Sequence, residues 1–431
     1  MRTSLACCAL LSALGAWAQP LLTAEEAVRM AVEKNHGILL AKLNAESAQV
    51  ANNAGAAGML PTLDGTGLYS MDHASTKQQL FSGETRNAND ANAQTVSAAL
   101  TLNWRLFDGL GMFAAKDRLE ALERIGGTQL RQQVEATGYD VLSNYYQLVQ
   151  LEKALSVQRS SVRLSRERYA IAGTAKSVGT YSGLDVVQAQ LDLNADSAQV
   201  VALQQQIAEA RSALNQLLAR EVSTPFRVDT VIPAAPPLEY EPLRQAARGA
   251  NSALQLAREQ HLAADLAVKK LKSALWPTLD GYADYGYSKT TSAVGLLQSS
   301  QRTGPDYGLR LNVPLFHGGV TDRVAKLGRI AQQQAATAEE QVMLDVDRQL
   351  LDTWNRYTNA RQRVALEEGN LTGVRTQVNV ALESYRVGVI TAIQLRDVQR
   401  SLIDAENRLL LALFDAKQAE LQLEWLAGRL L

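Results

Sequence analysis

Apolar and polar residues alternate strictly in two stretches of this chain, residues 100–109 and 309–318. In the first, Leu100, Leu102, Trp104 and Leu106 fall on one side, with Thr101, Asn103 and Arg105 opposite. In the second, Leu309, Leu311, Val313 and Leu315 fall on one side, with Arg310 and Asn312 opposite. A period of two predicts a strand with one apolar face. Each stretch closes on Leu-Phe, one further residue and a glycine, Gly109 or Gly318. There the alternation stops, and a long, proline-free, helix-favouring run begins.

The rest of the chain repeats around these two stretches. Residues 22–58 predict a helix opened by a Thr23/Glu26 capping box. Thr62 to Met71 predicts a first strand, His73 to Ala93 a polar loop, and Gln94 to Phe107 a second strand. A helix of roughly 70 residues, about 100 Å long, then runs from Gly109 to Val178. Val134, Val141, Tyr145, Leu148, Leu155, Val162 and Tyr169 form its heptad-like seam. Val178-Gly179-Thr180 breaks it, and a shorter helix runs from Leu184 to Arg220. Residues 221–242, with five of the ten prolines, predict an extended linker. The second half repeats the order. A helix spans Leu243 to Lys272, and a strand opening at Pro277 carries Leu279, Gly281, Ala283, Tyr285 and Tyr287 on one face. A polar loop covers 288–306, and a strand 307–316. The long helix that follows has Leu350, Trp354, Tyr357, Val364, Leu371, Val374, Val378 and Tyr385 on its seam. Val387-Gly388-Val389 breaks it, and a last helix begins near Ile393.

Residues 61–65, Pro-Thr-Leu-Asp-Gly, recur unchanged at 277–281, and the glycine breaks lie at equal offsets from Phe107 and Phe316. The chain is an internal duplication. Its expected parts are residues 1–18, a first repeat over 19–220, the linker 221–242 and a second repeat over 243–431.

Composition narrows the class. The formal net charge is −1 and charged residues make up 20 %, a balance that gives no indication of nucleic-acid binding. Proline is absent between Pro61 and Pro225 and after Pro314, the two regions in which long helices are possible. Met1 to Ala18 has a secretory signal's Arg2, apolar core and Ala16-Trp17-Ala18 cleavage site. Cys7 and Cys8, the only cysteines, lie within it, so the mature chain is expected to have neither disulfides nor thiolate metal sites. Lipid attachment at Cys7 is the competing reading of that segment. Apart from it no stretch reads as a transmembrane helix, so membrane entry requires a closed β-barrel.

Four strands cannot close a barrel alone. Either the strands form a soluble sheet over their own core, or several chains pool them with lipid outside and water inside. Trp104, Tyr69, Tyr285, Tyr287 and Tyr307 suit the aromatic girdles of a membrane wall.

The duplicated strand, the Leu-Phe-[Asp/His]-Gly junctions, the Val-Gly breaks (Tyr385-Arg386-Val387-Gly388 in the second half) and the N-terminal Leu-Thr-x-Glu-Glu-Ala helix together resemble TolC-type outer-membrane efflux proteins. The resemblance covers nearly the whole mature chain. It implies a mostly α fold with a β portion. In it, a homotrimer with four strands per chain forms a twelve-stranded outer-membrane barrel, continuing into a long periplasmic helical barrel. It also implies an exit duct in a Gram-negative outer membrane, docked to a periplasmic adaptor and an inner-membrane pump of the RND or ABC type. Such a duct serves tripartite efflux or type I secretion, without cofactor or catalysis.

The resemblance assigns residues too. Val178, Gly179, Thr180, Val387, Gly388 and Val389 match the adaptor-contacting tips; the plainer reading is that each glycine permits a turn. Some family members carry inward carboxylates six and nine residues after the second tip glycine, here Gln394 and Asp397. Asp185 takes the matching place in the first half. A threefold carboxylate ring there favours cations, whereas the bland reading is of acids at helix starts. Tyr385 and Asp185 also match a lock that closes the tip. The lock's arginine position is Ile390, so any lock here is built differently; Arg386 and Arg396 are near but do not match. His36, His73, His261 and His317 lack metal-ligand spacing. Neither a nucleophile elbow nor a phosphate-cradling loop is present. The rival from another class is a trimeric coiled-coil surface stalk or adhesin with a membrane anchor, against which the two hairpins per chain argue.

Overall fold

The structure is a computed structural model that describes residues 21–430 except 80, 181, 294–296, 317 and 388. The expected signal sequence with Cys7 and Cys8, His317 and the second tip glycine, Gly388, lie outside the described residues. In chain order the elements are β1 (Leu21–Leu22), α1 (Ala24–Lys34), α2 (His36–Ala51), β2 (Thr62–Gln79), β3 (Thr85–Phe107), α3 (Gly111–Ser177) and α4 (Gly183–Leu217). They continue with β4 (Arg227–Val228), α5 (Tyr240–Ala250), α6 (Ser252–Ser273), β5 (Thr278–Ser292), β6 (Ser299–Asn312), α7 (Val320–Arg386) and α8 (Ala392–Leu426). Two compact units result, each drawn from both halves of the duplication: residues 21–40, 132–251 and 346–430, and residues 41–131 and 252–345.

In the first unit the core lies where α3, α4 and α8 meet the small parallel β1–β4 pair. Tyr145 joins them: its hydroxyl donates to the Leu22 carbonyl at 3.0 Å and accepts from the Asp229 amide at 3.1 Å. Around it Val141, Leu148, Val149, Leu214, Leu218 and Phe226 are wholly or almost wholly buried. On α7 the buried row Val346, Leu350, Thr353, Tyr357 and Ala360 has the 4-3 spacing of a coiled seam.

The expected single helices at 22–58 and 243–272 are each two. Asn35 separates α1 from α2, its Oδ1 accepting from the Gly37 and Ile38 amides and its Nδ2 donating to the Leu217 carbonyl. Asn251 separates α5 from α6 and donates to the Leu426 carbonyl at 3.0 Å. In both repeats an asparagine thus fills the last carbonyls of a neighbouring helix at the expense of its own. The Thr23/Glu26 capping box forms as expected, both reciprocal bonds being 3.2 Å. The linker 221–242 is largely irregular, but β4 lies inside it and α5 starts at Tyr240, with Pro242 in its first turn, where a missing N–H costs nothing.

In the second unit the four long strands form one antiparallel sheet in the order β2-β3-β5-β6. The polar stretches expected to be loops, 73–93 and 288–306, are mostly strand. His73 pairs with Asn92, Gln78 with Arg86, and Thr290 with Ser300. A hairpin ladder satisfies the backbone whatever the side chains are, so loss of apolar alternation did not end the strands. Strand β6 instead stops at Asn312, short of the expected 316, ahead of Pro314, which lacks a ladder donor. Asp108 caps the start of α3 by accepting from the Met112 amide at 3.1 Å. Gly109 beside it has φ +69°, and a Cβ there would sit 2.5 Å from the Trp276 Cβ and 2.7 Å from the Ser273 carbonyl.

Gly109→Ala therefore meets both a left-handed backbone and backbone atoms, and is expected to lower the melting temperature far more than Gly179→Ala. The latter, with φ +81° and open space, loses only the left-handed preference, about 1 kcal/mol. Thermal melts of the two variants in detergent check this. A second expectation concerns Glu424 on α8, whose carboxyl is pushed above the ordinary glutamate range, first by burial and also by Glu420. A raised value favours the protonated form, so its contribution to stability is full at acid pH and lost as pH rises through the raised pKa. Glu424→Gln is expected to stabilise the protein at neutral pH, with the difference vanishing in acid. Melts between pH 4 and 8 measure it.

Candidate functional site

Two places hold the residues singled out in the sequence, one in each compact unit. The first is the sheet. Its register places Leu63, Leu102, Ala283 and Tyr307 in one transverse row, and Gly65, Leu100, Tyr285 and Pro305 in the next. Tyr69 and Val96, Trp104, Gly281 and Leu309, and Tyr287 follow on the same face. The other face carries Asp64, Thr101, Asp284 and Asp306 in one row and Arg105, Asp280 and Arg310 in another. On that polar face Arg105 Nε donates to Asp280 Oδ1 at 2.9 Å. All five aromatics expected in a membrane wall thus share the apolar face. Large side chains there are bare: Leu63 is 67 % exposed, Leu309 68 % and Tyr307 78 %. A sheet covering its own core would bury them, which removes the soluble-sheet alternative for this face. Among the described residues no helix is long and apolar enough to cross a membrane.

The second place is the pair of helix breaks. At the first, the Thr180 amide donates to the Ala175 carbonyl at 2.9 Å and the Gly179 amide to the Lys176 carbonyl at 3.0 Å, with Gly179 left-handed. This is a Schellman closure, the turn a glycine permits. At the second, the Val389 amide reaches the Ser384 carbonyl at 2.8 Å, the same bond in the other repeat. Val178, Val387 and Val389 are 70–74 % exposed. A capping box follows each break. Ser182 Oγ accepts from the Asp185 amide while the Asp185 carboxylate accepts from the Ser182 amide at 2.9 Å; Thr391 and Gln394 do likewise, at 2.8 Å for the reciprocal bond. The Ser182 hydroxyl and amide hold the Asp185 carboxyl below the ordinary aspartate range. Asp185 and Gln394 are thus the third residues of two equivalent helix starts, and Asp397 is exposed on the following turn.

A charge cluster around the buried Asp192, which the sequence pattern did not single out, joins α3, α4 and α8. Asp192, on α4, is 5 % exposed and receives Arg168 from α3 at 3.3 Å and Arg396 from α8 in a closer contact. Gln188 donates to its other oxygen at 3.1 Å. Next to it the Asp196 carboxylate accepts from Ser161 and Ser165. The seam of α3 is polar here. Gln158, Ser161 and Ser165 are buried, whereas Tyr169, expected on the seam, is exposed. The available sign was on α4, where Asp192 and Asp196 occupy the seam spacing of Ala189, Leu203 and Ile207. Tyr385, Asp185, Asp192 and Arg396 line one pocket of about 360 Å³. Arg396, near Ile390 in sequence, engages Asp192 rather than Asp185.

The outer membrane efflux protein profile matches residues 27–220 and 243–429. The chain belongs to this family. Similar curated proteins include the outer membrane efflux protein BepC of Brucella suis biovar 1, 22 % identical over 341 residues, which cover 78 % of this chain and 73 % of BepC. Another is the pyoverdine export outer membrane protein OpmQ of Pseudomonas putida, 25 % identical over 435 residues, covering 95 % and 84 %. Among solved structures, the channel-forming CusC superposes with a TM-score of 0.80 at 17 % identity, covering 94 % of this chain and 92 % of CusC. Membership places the protein in the outer membrane as an efflux channel component and not an enzyme.

Asp192→Ala leaves the largely buried Arg168 guanidinium and the partly buried Arg396 guanidinium without their shared carboxylate. It is expected to cost about 3–5 kcal/mol, read as a lowered melting temperature; a loss below about 1 kcal/mol would place the cluster among weak surface pairs.

Proposed function

We propose that the chain is the passive exit duct of a tripartite efflux system, working as a homotrimer that pools its strands into one barrel. The observation that carries this is the sheet: one face holds Leu63, Leu100, Leu102, Trp104, Leu309 and four tyrosines, several of them bare, giving way to Lys289 and Gln301 toward the hairpin ends, and β2 and β6 are its outer strands. Open edges are not tolerated in lipid, so identical neighbours must pair them. With no energy-harvesting site in the sequence, the driving force comes from an inner-membrane pump, reached through a periplasmic adaptor that touches the helix breaks. The exposed valines around both breaks support that contact. Type I protein secretion uses the same architecture; the similarity to the pyoverdine export protein OpmQ and to the Escherichia coli cation efflux system protein CusC favours small solutes. The tethering of α3, α4 and α8 by Arg168, Asp192 and Arg396 supports these residues, rather than Asp185 with Tyr385 alone, as what holds the entrance narrow.

Purified protein in a planar bilayer is expected to give discrete single-channel steps with cation preference. Asp397→Ala is expected to reduce that preference, and an unchanged reversal potential removes Asp397 from the throat. A protein that stays monomeric and soluble without detergent overturns the duct itself.

A further inference from the structure

The hairpin of β2 and β3 outgrows the sheet that carries it. Strand β3 pairs with β5 only as far as Ala93 and Ser292, and β5 with β6 only as far as Thr291 and Ser299. The β2–β3 ladder runs on to Gln79 and Thr85. Residues 73–79 and 85–92 thus form a hairpin with no third strand among the described residues, roughly 24 Å long at the usual rise of a strand. Such a hairpin is marginal in water unless something packs on it. From Asp72 to Asn92 the side chains other than alanine are polar except at the turn, where Phe81 is completely exposed.

Burial shows which way the hairpin curves. On β3, Thr95, Ser97 and Ala99 of the polar face are partly buried, while Val96, Ala98 and Leu100 of the apolar face are exposed. The sheet is concave on its polar side. Beyond the sheet the contrast persists on β2: Thr76 and Gln78, in line with the polar face, are partly buried, and Ser75, Lys77 and Gln79 are exposed. Near the rim Ala74 pairs with Ala91 and Thr76 with Ala88, so Ser75 faces both Asn89 and Asp90. That extra residue is a β-bulge, which bends the strand that holds it. In a pooled barrel the polar side is the water-filled inside, so the hairpin curls over the mouth. Twelve strands about 4.8 Å apart and tilted by about 40° enclose a radius of about 12 Å. The hairpin is long enough to reach the axis.

We propose that the hairpins of three copies close the outer mouth of the duct, their Phe81 rings packed on one another at the axis. This rests on the trimeric barrel of the proposed function. Meeting at the axis covers Phe81 and supplies the packing that a lone hairpin lacks. Lipid is the other apolar surface within reach, but the hairpin is polar on both faces, with Thr76 and Gln78 on one and Lys77 and Gln79 on the other. It suits water rather than hydrocarbon.

The test is Phe81→Cys, at a position too exposed to disturb folding, compared with Asp72→Cys at the rim. Oxidation of outer membranes with copper phenanthroline is expected to give disulfide-linked dimers of Phe81→Cys. Equivalent points on a rim of about 12 Å radius lie roughly 20 Å apart, whereas a disulfide allows about 7 Å between Cα atoms. Asp72→Cys is therefore expected to stay unlinked, as is the unsubstituted chain. In a planar bilayer, oxidation of Phe81→Cys is expected to lower the mean channel current, and dithiothreitol to restore it. A protein that is trimeric in detergent yet gives no Phe81→Cys dimer overturns the closure and leaves the pooled barrel standing, whereas a monomer overturns both. Dimers without a change in current, or a fluorophore on the Phe81→Cys thiol quenched by spin-labelled lipid, also overturn the closure.

Discussion

Every backbone amide in a membrane needs a protein partner, because hydrocarbon offers none. In this chain that constraint acts on β2 and β6, the outer strands of a sheet whose apolar face carries bare leucine and tyrosine side chains. The sheet therefore cannot be at rest as an isolated object. Its apolar face calls for lipid, its edges call for more strands, and its polar face, with Asp280 paired to Arg105, suits water. Length follows from the same logic. Strand β3, at 23 residues, exceeds the 9–11 or so that a membrane needs, and its excess is the polar hairpin end.

Duplication supplies the framework for the helices. Both repeats contain an asparagine that splits a helix and bonds a carbonyl near another helix's end, and a capping box after each break. The Ala219 and Gly428 turns also correspond, each left-handed, with Arg220 and Arg429 amides closing the preceding helices. What the copies share is backbone closure. Where they differ is charge: Asp185 in one capping box is Gln394 in the other.

That divergence makes the buried cluster one-sided. Asp192 sits on α4, and Arg396 comes from the start of α8 to meet it. A coiled seam is usually apolar, and each buried ion pair competes with the hydration it gives up. Here the aspartates are satisfied several times over, by Arg168, Arg396 and Gln188 at Asp192 and by two serines at Asp196. Such an arrangement sets which helix faces meet more sharply than leucines would, since a shift of one residue strands a charge.

Sequence alone determined much of this protein. The two-residue period of 100–106 and 309–311, the proline-free runs, the Gly179 break and the Thr23/Glu26 cap are local signals, and local signals survive in a one-dimensional reading. The apolar face of the sheet was legible for the same reason, because side-chain alternation is a property of a strand by itself. Tertiary structure alone decided the rest. The polar ends of the strands exist because a partner strand takes their hydrogen bonds. The splits at Asn35 and Asn251 exist because the carbonyls of Leu217 and Leu426 lie within reach. The seam of α3 turned from Tyr169 to Ser165 because Asp196 lies opposite. In each case the residue's preference depends on a group far away in sequence, and hydrogen bonds and buried charges, unlike periodicity, are settled only when both partners are in place.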